Sequence, residues 1–218
     1  FRLLDEGKSA EEIAKTLEEE KKKIIIGLTT FYTEYLNLSV PVLGRWSRRC
    51  VLVIHNDNPD VRVSVRKIRK LGFRGRIYVI NATKNIGLLR ARMAIVDFVR
   101  KKKISADWIM FADDDDFVTD VSIPNVDKNN FAVIQNMVVL RSRLIDVLRV
   151  AKNPKSWVAD NENVYVVRPH IGLAGTMIRL SVMFQVVDVL YGVLEHIADI
   201  DSGLSFRPPT DMMMWSAV

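Results

Sequence analysis

One cysteine and three histidines in 218 residues leave little material for two common kinds of domain. Cys50 alone cannot close an intramolecular disulfide, and nothing in the chain resembles a zinc-ligand cluster. The thiol reads as a buried side chain in a reducing compartment. A long unbroken apolar run is missing as well. The longest stretch, "MIRLSVMFQVVDVLYGVLEHIADI", is interrupted by Arg179, Gln185, Asp188, Glu195 and His196 and fails as a membrane span. It reads as an amphipathic helix at a core or partner surface. The chain opens on Phe1, so the expected location, cytoplasmic with peripheral contact at a membrane surface left open, is an inference from the thiol and the charge.

What is present is a globular composition, 49% hydrophobic and 27% charged, enough for one large domain. Lys and Arg number 32 against 26 Asp and Glu, a formal charge of +6. The cations cluster in "RWSRR", "VRVSVRKIRKLGFRGR" and "VRKKK". Such a surface attracts polyanions, phosphorylated substrates or anionic lipid without choosing among them.

The segment "EGKSAEEIAKTLEEEKKK" places Glu12 three residues after Ser9, a capping box ahead of good helix formers. Residues 1–22 are expected to be an N-terminal helical extension. The phrase "LLDEGKSAEEIAKTL" looks like half of a helix-turn-helix, yet "EEEKKKIIIGL" follows, with no turn glycine and no second helix. No nucleic-acid partner is expected.

Beyond it the periodicity changes. "KIIIGLTT", "CVLVIHN", "RIYVINA" and "DWIMFAD" are short apolar runs separated by helical intervals such as "IGLLRARMAIVDFVRKK". Runs apolar on both faces indicate strands covered on both sides, the mark of a mostly parallel sheet between helices. The expected fold class is therefore α/β, a Rossmann-like open sheet with helices on both faces, formed by residues 23–218 as one domain. Ligands bind such sheets at the carboxyl ends of the strands. Thr29 and Thr30, then His55, Asn56 and Asp57, then Asn81, then Asp113 to Asp116 stand there.

Four consecutive aspartates at a strand end repel one another unless a cation offsets them. Mg²⁺ and Mn²⁺ prefer oxygen ligands, and Mg²⁺ is commonly held by one or two carboxylates with substrate phosphates. On an extended segment residues two apart point the same way, so Asp113 and Asp115 are the expected metal pair while Asp114 and Asp116 turn elsewhere. The competing reading is a solvated acidic loop or an N-cap cluster.

Several segments, in order, resemble the inverting nucleotide-sugar glycosyltransferases of the GT-A fold, most closely glycosyltransferase family 2. "IIIGLTTFYTEYLNLSVPVL" is similar to the opening strand and helix, with Thr30 and Thr33 where "PTYN" has proline and asparagine. "VLVIHNDNPD" is similar to the second strand, and "NIGLLRARM" to N-x-G-x-x-x-A-R-N at Asn85, Gly87, Ala91 and Arg92, with Met93 for the last asparagine. "WIMFADDDD" resembles the DxD segment with Asp113 and Asp115 in register. "TDMMMW" resembles E-D-x-x-L-W, with Thr210 for the glutamate and Asp211 retained. The likeness spans about residues 23 to 215 and rests on order more than on any one motif. The chain stops at Val218, and the segment that normally follows the last motif is expected to be missing.

The resemblance implies a GT-A-like domain that moves a sugar from a nucleoside-diphosphate donor, a UDP-sugar for preference, to a carbohydrate, lipid-linked or other hydroxyl acceptor. It implies Mn²⁺ or Mg²⁺ at Asp113 and Asp115, and donor contacts from Thr29, Thr30, Asp57, Asn85, Arg92, Asp113 and Asp114. Asp57 would reach the nucleotide base and Asp211 would act as general base. Arg92, and Arg90 beside it, follow a glycine at a helix start, where phosphate is favoured; for Arg92 an ion pair with the aspartates is the equal alternative. "GLAG" at Gly172 to Gly175 resembles the acceptor-side strand, or is a glycine bulge. Two other classes stay open: a non-catalytic nucleotide- or carbohydrate-binding relative, and a nucleotidyltransferase, whose usual Gly-rich loop after the first strand is absent from "GLTTFYTEYL".

Overall fold

A computed structural model of the chain describes residues 24–118, Val121, 133–135, 138–140 and 174–200. Residues 1–22, expected to be an N-terminal helical extension, and Thr210 and Asp211 lie outside the described residues.

The four apolar runs form strands: β1 (Ile24–Thr30), β2 (Cys50–Asn56), β3 (Arg76–Asn81) and β4 (Trp108–Asp113). Helices α1 (Leu36–Leu43), α2 (Val65–Lys70) and α3 (Leu88–Lys101) fill the intervals, with a short 3₁₀ turn at Gly44–Trp46. After β4 come β5 (Asp116–Val118), β6 (Val133–Gln135), β7 (Val138–Leu140), β8 (Thr176–Arg179) and helix α4 (Leu180–Ile200). The main sheet is six-stranded in the order β3-β2-β1-β4-β8-β6, and β5 pairs with β7 in a separate two-stranded sheet. β1 is parallel to both β2 and β4, and β2 to β3; β8 runs antiparallel to β4 and β6. The chain thus has a mixed α/β fold with a mostly parallel central sheet.

Why these segments become strands follows from their burial. All seven residues of β1 and of β2 are buried, as two covered faces require. Alternation then divides them: Ile24, Ile26 and Leu28 of β1, Leu52 and Ile54 of β2 and Trp108 and Met110 of β4 pack with Leu36, Val40 and Leu43 of α1 and Ile68 of α2. The opposite face, with Ile25, Val51, Val53, Ile109 and Phe111, packs against Met93, Val96 and Val99 of α3 and Met183, Val186 and Leu190 of α4. Each fully buried Ile, Leu or Phe contributes about 1.5–3 kcal/mol.

The last apolar stretch departs from the sequence expectation. Its start is not helix: Thr176–Arg179 is strand β8, because Met177 and Ile178 each reach a different face of the sheet, and the helix begins only at Leu180. Of "GLAG", Gly172 and Leu173 lie outside the described residues, while Ala174 is a single bridge residue and Gly175 a turn residue just before β8. Ala174 bridges to Phe111, while Gly175 has φ of 72° and donates its N–H to the Phe111 carbonyl at 2.9 Å. Positive φ favours glycine there. No helix among the described residues is long and apolar enough to cross a membrane.

Candidate functional site

Strand order reverses at β1: the chain moves outward to β2 and β3, then returns to β4 on the other side. The crevice at the carboxyl ends of β1 and β4 is therefore the switch point where open α/β sheets bind ligands. Thr29 and Asp113 are the last register pair across it. A cavity of about 340 Å³ opens there, lined by Thr29 to Tyr32, Asp57, Asn85, Gly87, Leu88, Ala91 and Asp113 to Asp115.

The four aspartates are each treated differently, which resolves their mutual repulsion. Asp113 accepts from the Thr29 hydroxyl and from Arg92, whose Nη2 lies 3.0 and 3.2 Å from the two carboxylate oxygens. Asp114 is buried; it accepts from the Thr30 hydroxyl at 2.6 Å and the Phe31 N–H at 3.2 Å. Burial pushes the Asp114 carboxyl up to about 6 against the pull of those two donors. Asp116 is also buried and accepts the Asp113 N–H at 3.2 Å. Burial, then the neighbouring Asp113, raises it to about 7. Asp115 is exposed and lines the cavity.

Alternation along an extended strand does not set this division. Asp113 and Asp115 are indeed more open to solvent than Asp114 and Asp116, but not because the segment is extended. Asp114 and Asp115 form a turn between β4 and β5, closed by the Asp116 carboxylate on the Asp113 N–H. Among the described residues no group of three or more His, Cys, Asp or Glu side chains converges as a metal cage. One or two carboxylates facing a cavity are still a donor set that suits Mg²⁺ or Mn²⁺ completed by substrate phosphates. Asp115 would be the main ligand, since Asp113 already shares its charge with Arg92.

The remaining candidates are brought to the same rim, but several are engaged within the protein. Both Asp57 oxygens accept backbone hydrogen bonds at 2.9 Å, from the Ile86 and Gly87 N–H groups. Asp57 thus ties the loop before α3 to the end of β2. Asn85 accepts from the Gly87 N–H at 2.9 Å, a local turn that leaves its side chain exposed. Gly87, with φ of 79°, is the residue from which α3 starts, so the first turn of that helix faces the cavity through Leu88 and Ala91. Thr29 and Thr30 orient Asp113 and Asp114 through their hydroxyls. Arg92 is only 1% exposed and serves Asp113 from beneath the cavity rather than lining it. Arg90 is exposed and does not line the cavity.

Two pairs of residues contribute beyond the motifs. Phe31 and Tyr32 line the cavity as exposed rings, 38% and 58%, packed edge to face with centroids 5.2 Å apart. The signal available was the aromatic pair directly after the strand-end threonines. Asn56 and Asn81, read only as rim residues, form an amide pair that holds residues 58–63. Asn56 Nδ2 donates to Asn81 Oδ1 at 3.0 Å and to the Asn58 carbonyl, while Asn81 exchanges hydrogen bonds with the Val63 backbone at 2.9 and 3.0 Å.

No protein-family model matches the chain, and no curated protein matches it either. Solved structures do. S. aureus TarS, residues 1–349, matches at 17% identity and a TM-score of 0.35, over 44% of this chain and 28% of that one. The apo form of the glycosyltransferase GlyE of Streptococcus pneumoniae TIGR4 matches at 11% identity and a TM-score of 0.39, over 89% of this chain and 42% of that one. The matched part thus spans less than half the length of either.

Proposed function

We propose that the chain is a metal-dependent glycosyltransferase, taking a sugar from a nucleoside-diphosphate donor, a UDP-sugar for preference, and passing it with inversion to an acceptor hydroxyl on a carbohydrate or lipid-linked molecule. The observation that carries this reading is Asp115, an exposed carboxylate on the switch-point cavity beside an Asp113 already balanced by Arg92. That arrangement, in the order of motifs found along the sequence, supports a donor diphosphate bound through a cation at the sheet rim. When bound, Mg²⁺ or Mn²⁺ supplies Lewis-acid stabilisation of the leaving diphosphate.

The chain's own residues would do the rest. Thr29 and Arg92 hold Asp113 in one orientation, and Thr30 with the Phe31 N–H does the same for Asp114. The loop pinned by Asp57 presents the first turn of α3, whose N–H groups favour anionic oxygens. Asp211, by its place in the retained motif, would take the acceptor proton.

Isothermal titration with UDP and GDP, each with and without Mn²⁺, tests the reading on the parent and on Asp115→Ala. Metal-dependent binding lost in the variant is the expected result. Undiminished binding by a folded Asp115→Ala protein would overturn it.

A further inference from the structure

At the opposite, amino-terminal edge of the sheet lies a second cavity, of about 450 Å³. It is bounded by the segments that lead into β2, β3 and β4, and its lining carries Arg48, Arg49, Arg74, Arg76 and Lys103. Among the described residues no acidic side chain lines it. All five cations are exposed, and none forms an ion pair with a described residue. The Ser47 and Ser105 residues add hydroxyls at the same wall.

The backbone forces these charges together. A Cβ on Gly75 would lie 2.1 Å from the Ser47 carbonyl oxygen and 2.7 Å from that of Cys50. Only glycine permits that approach, which brings Arg74 and Arg76 beside Arg48 and Arg49. Lys103 sits at the end of α3 with φ of 49°, the left-handed region where a side chain costs about 1–2 kcal/mol. Its N–H donates to the Arg100 carbonyl at 3.1 Å, closing the turn that directs the chain toward β4. Five like charges around one concavity raise a positive potential that an anion relieves. Guanidinium forks match phosphate oxygens in geometry as well as charge.

We propose that this pocket is a second binding site, for a compact ligand bearing two or more phosphate groups, independent of the aspartate rim. Among the described residues no Phe, Tyr or Trp lines it, so these residues offer no stacking platform for the bases of a single-stranded nucleic acid. Its volume lies in the range of small-ligand sites. The phosphates can belong to a free molecule or to a lipid headgroup; the chemistry that recognises them is the same.

The full chain is titrated with inorganic pyrophosphate at low ionic strength in the presence of EDTA, and floated with phosphatidylcholine vesicles with and without a phosphatidylinositol bisphosphate, whose headgroup bears more than one phosphate. Two double variants remove equal charge from exposed positions: Arg49→Ala/Arg74→Ala within the pocket and Arg62→Ala/Arg66→Ala outside it. The expected result is binding weakened about tenfold or more by the first pair and less than about twofold by the second, the loss of one charge-assisted hydrogen bond sufficing for the former. Asp115→Ala should leave it unchanged. Pyrophosphate binding with this dependence assigns a free phosphate ligand, and vesicle binding alone with this dependence assigns a headgroup. Equal weakening by both pairs means bulk charge and overturns the proposal, as does binding in neither arm.

Discussion

Arg92 reaches both oxygens of Asp113 with a single nitrogen, at 3.0 and 3.2 Å, from a position only 1% exposed, whereas the Asp113 side chain is 27% exposed. The arginine is thus a buried support under a carboxylate that remains open to the cavity. Its guanidinium also lies 5.8 Å from the centroid of the Phe111 ring.

Removing that support should be costly. Arg92→Met leaves Asp113 without its cation, and breaking such a pair from one side destabilises by about 3 kcal/mol. Urea unfolding should show a lowered midpoint at an unchanged slope. A midpoint equal to the parent's would mean that the ion pair contributes nothing.

Asp57 is expected to behave as a loop tether. In Asp57→Ala the Ile86 and Gly87 N–H groups lose their carboxylate acceptors, while the Thr30 carbonyl still accepts the N–H of residue 57. Hydrogen exchange at Ile86 should accelerate by about tenfold or more, as loss of a hydrogen bond to a charged group implies, and less at Gly87, whose N–H keeps the Asn85 side-chain oxygen as acceptor. Unchanged protection at both amides would contradict the tether.

Two glycines should respond to alanine with opposite sign. Gly75→Ala drives a Cβ into the Ser47 and Cys50 carbonyls and should cost about 3 kcal/mol, the upper end for overpacking, because backbone rather than a side-chain tip must move. Gly192, exposed within α4, has nothing within 4 Å of its Cβ position, so Gly192→Ala should stabilise by about 1 kcal/mol through helix propensity. Thermal unfolding of the pair checks both, and a shift in the same direction would contradict the packing described.

His55 gives stability a pH dependence. Burial lowers its imidazole below the ordinary value, outweighing the upward pull of Asp57. Below about pH 6.5 the unfolded chain takes up a proton that the folded protein refuses, so this contribution is complete above pH 6.5 and declines as pH falls toward the folded value. His55→Gln should flatten the stability profile in that window. An identical slope in parent and variant would assign the effect to other groups.

Cys50 should be inert in the folded state. It is 4% exposed, and burial pushes its thiol up to about 12 despite the neighbouring Arg49. Iodoacetamide at pH 8 should label it only after denaturant is added. Rapid labelling of the native protein would show that the start of β2 opens readily.

The sheet was legible in the residues because its signal is local. "IIIGLTT", "CVLVIHN" and "WIMFAD" are apolar up to their polar carboxyl ends, and a strand buried on both faces needs nothing more than such a run. The carboxyl-end rule then pointed to the threonines and aspartates that do meet at the switch point. Met177–Arg179, the start of the last apolar stretch, is strand rather than helix because short apolar runs do not distinguish the two and pairing with β4 decides it.

The residue types at the strand ends follow from local order alone, since apolar runs and the polar residues that close them are properties of neighbours in the chain. The partners of each came from contacts between distant parts of the chain. Asp113 and Arg92 are 21 residues apart, and Thr30 and Asp114 84 apart. Whether a carboxylate is paired, protonated near neutrality or open to a ligand depends on the donors and the burial that surround it in space. Four identical aspartates in a row therefore carry four different environments, and no local pattern distinguishes them.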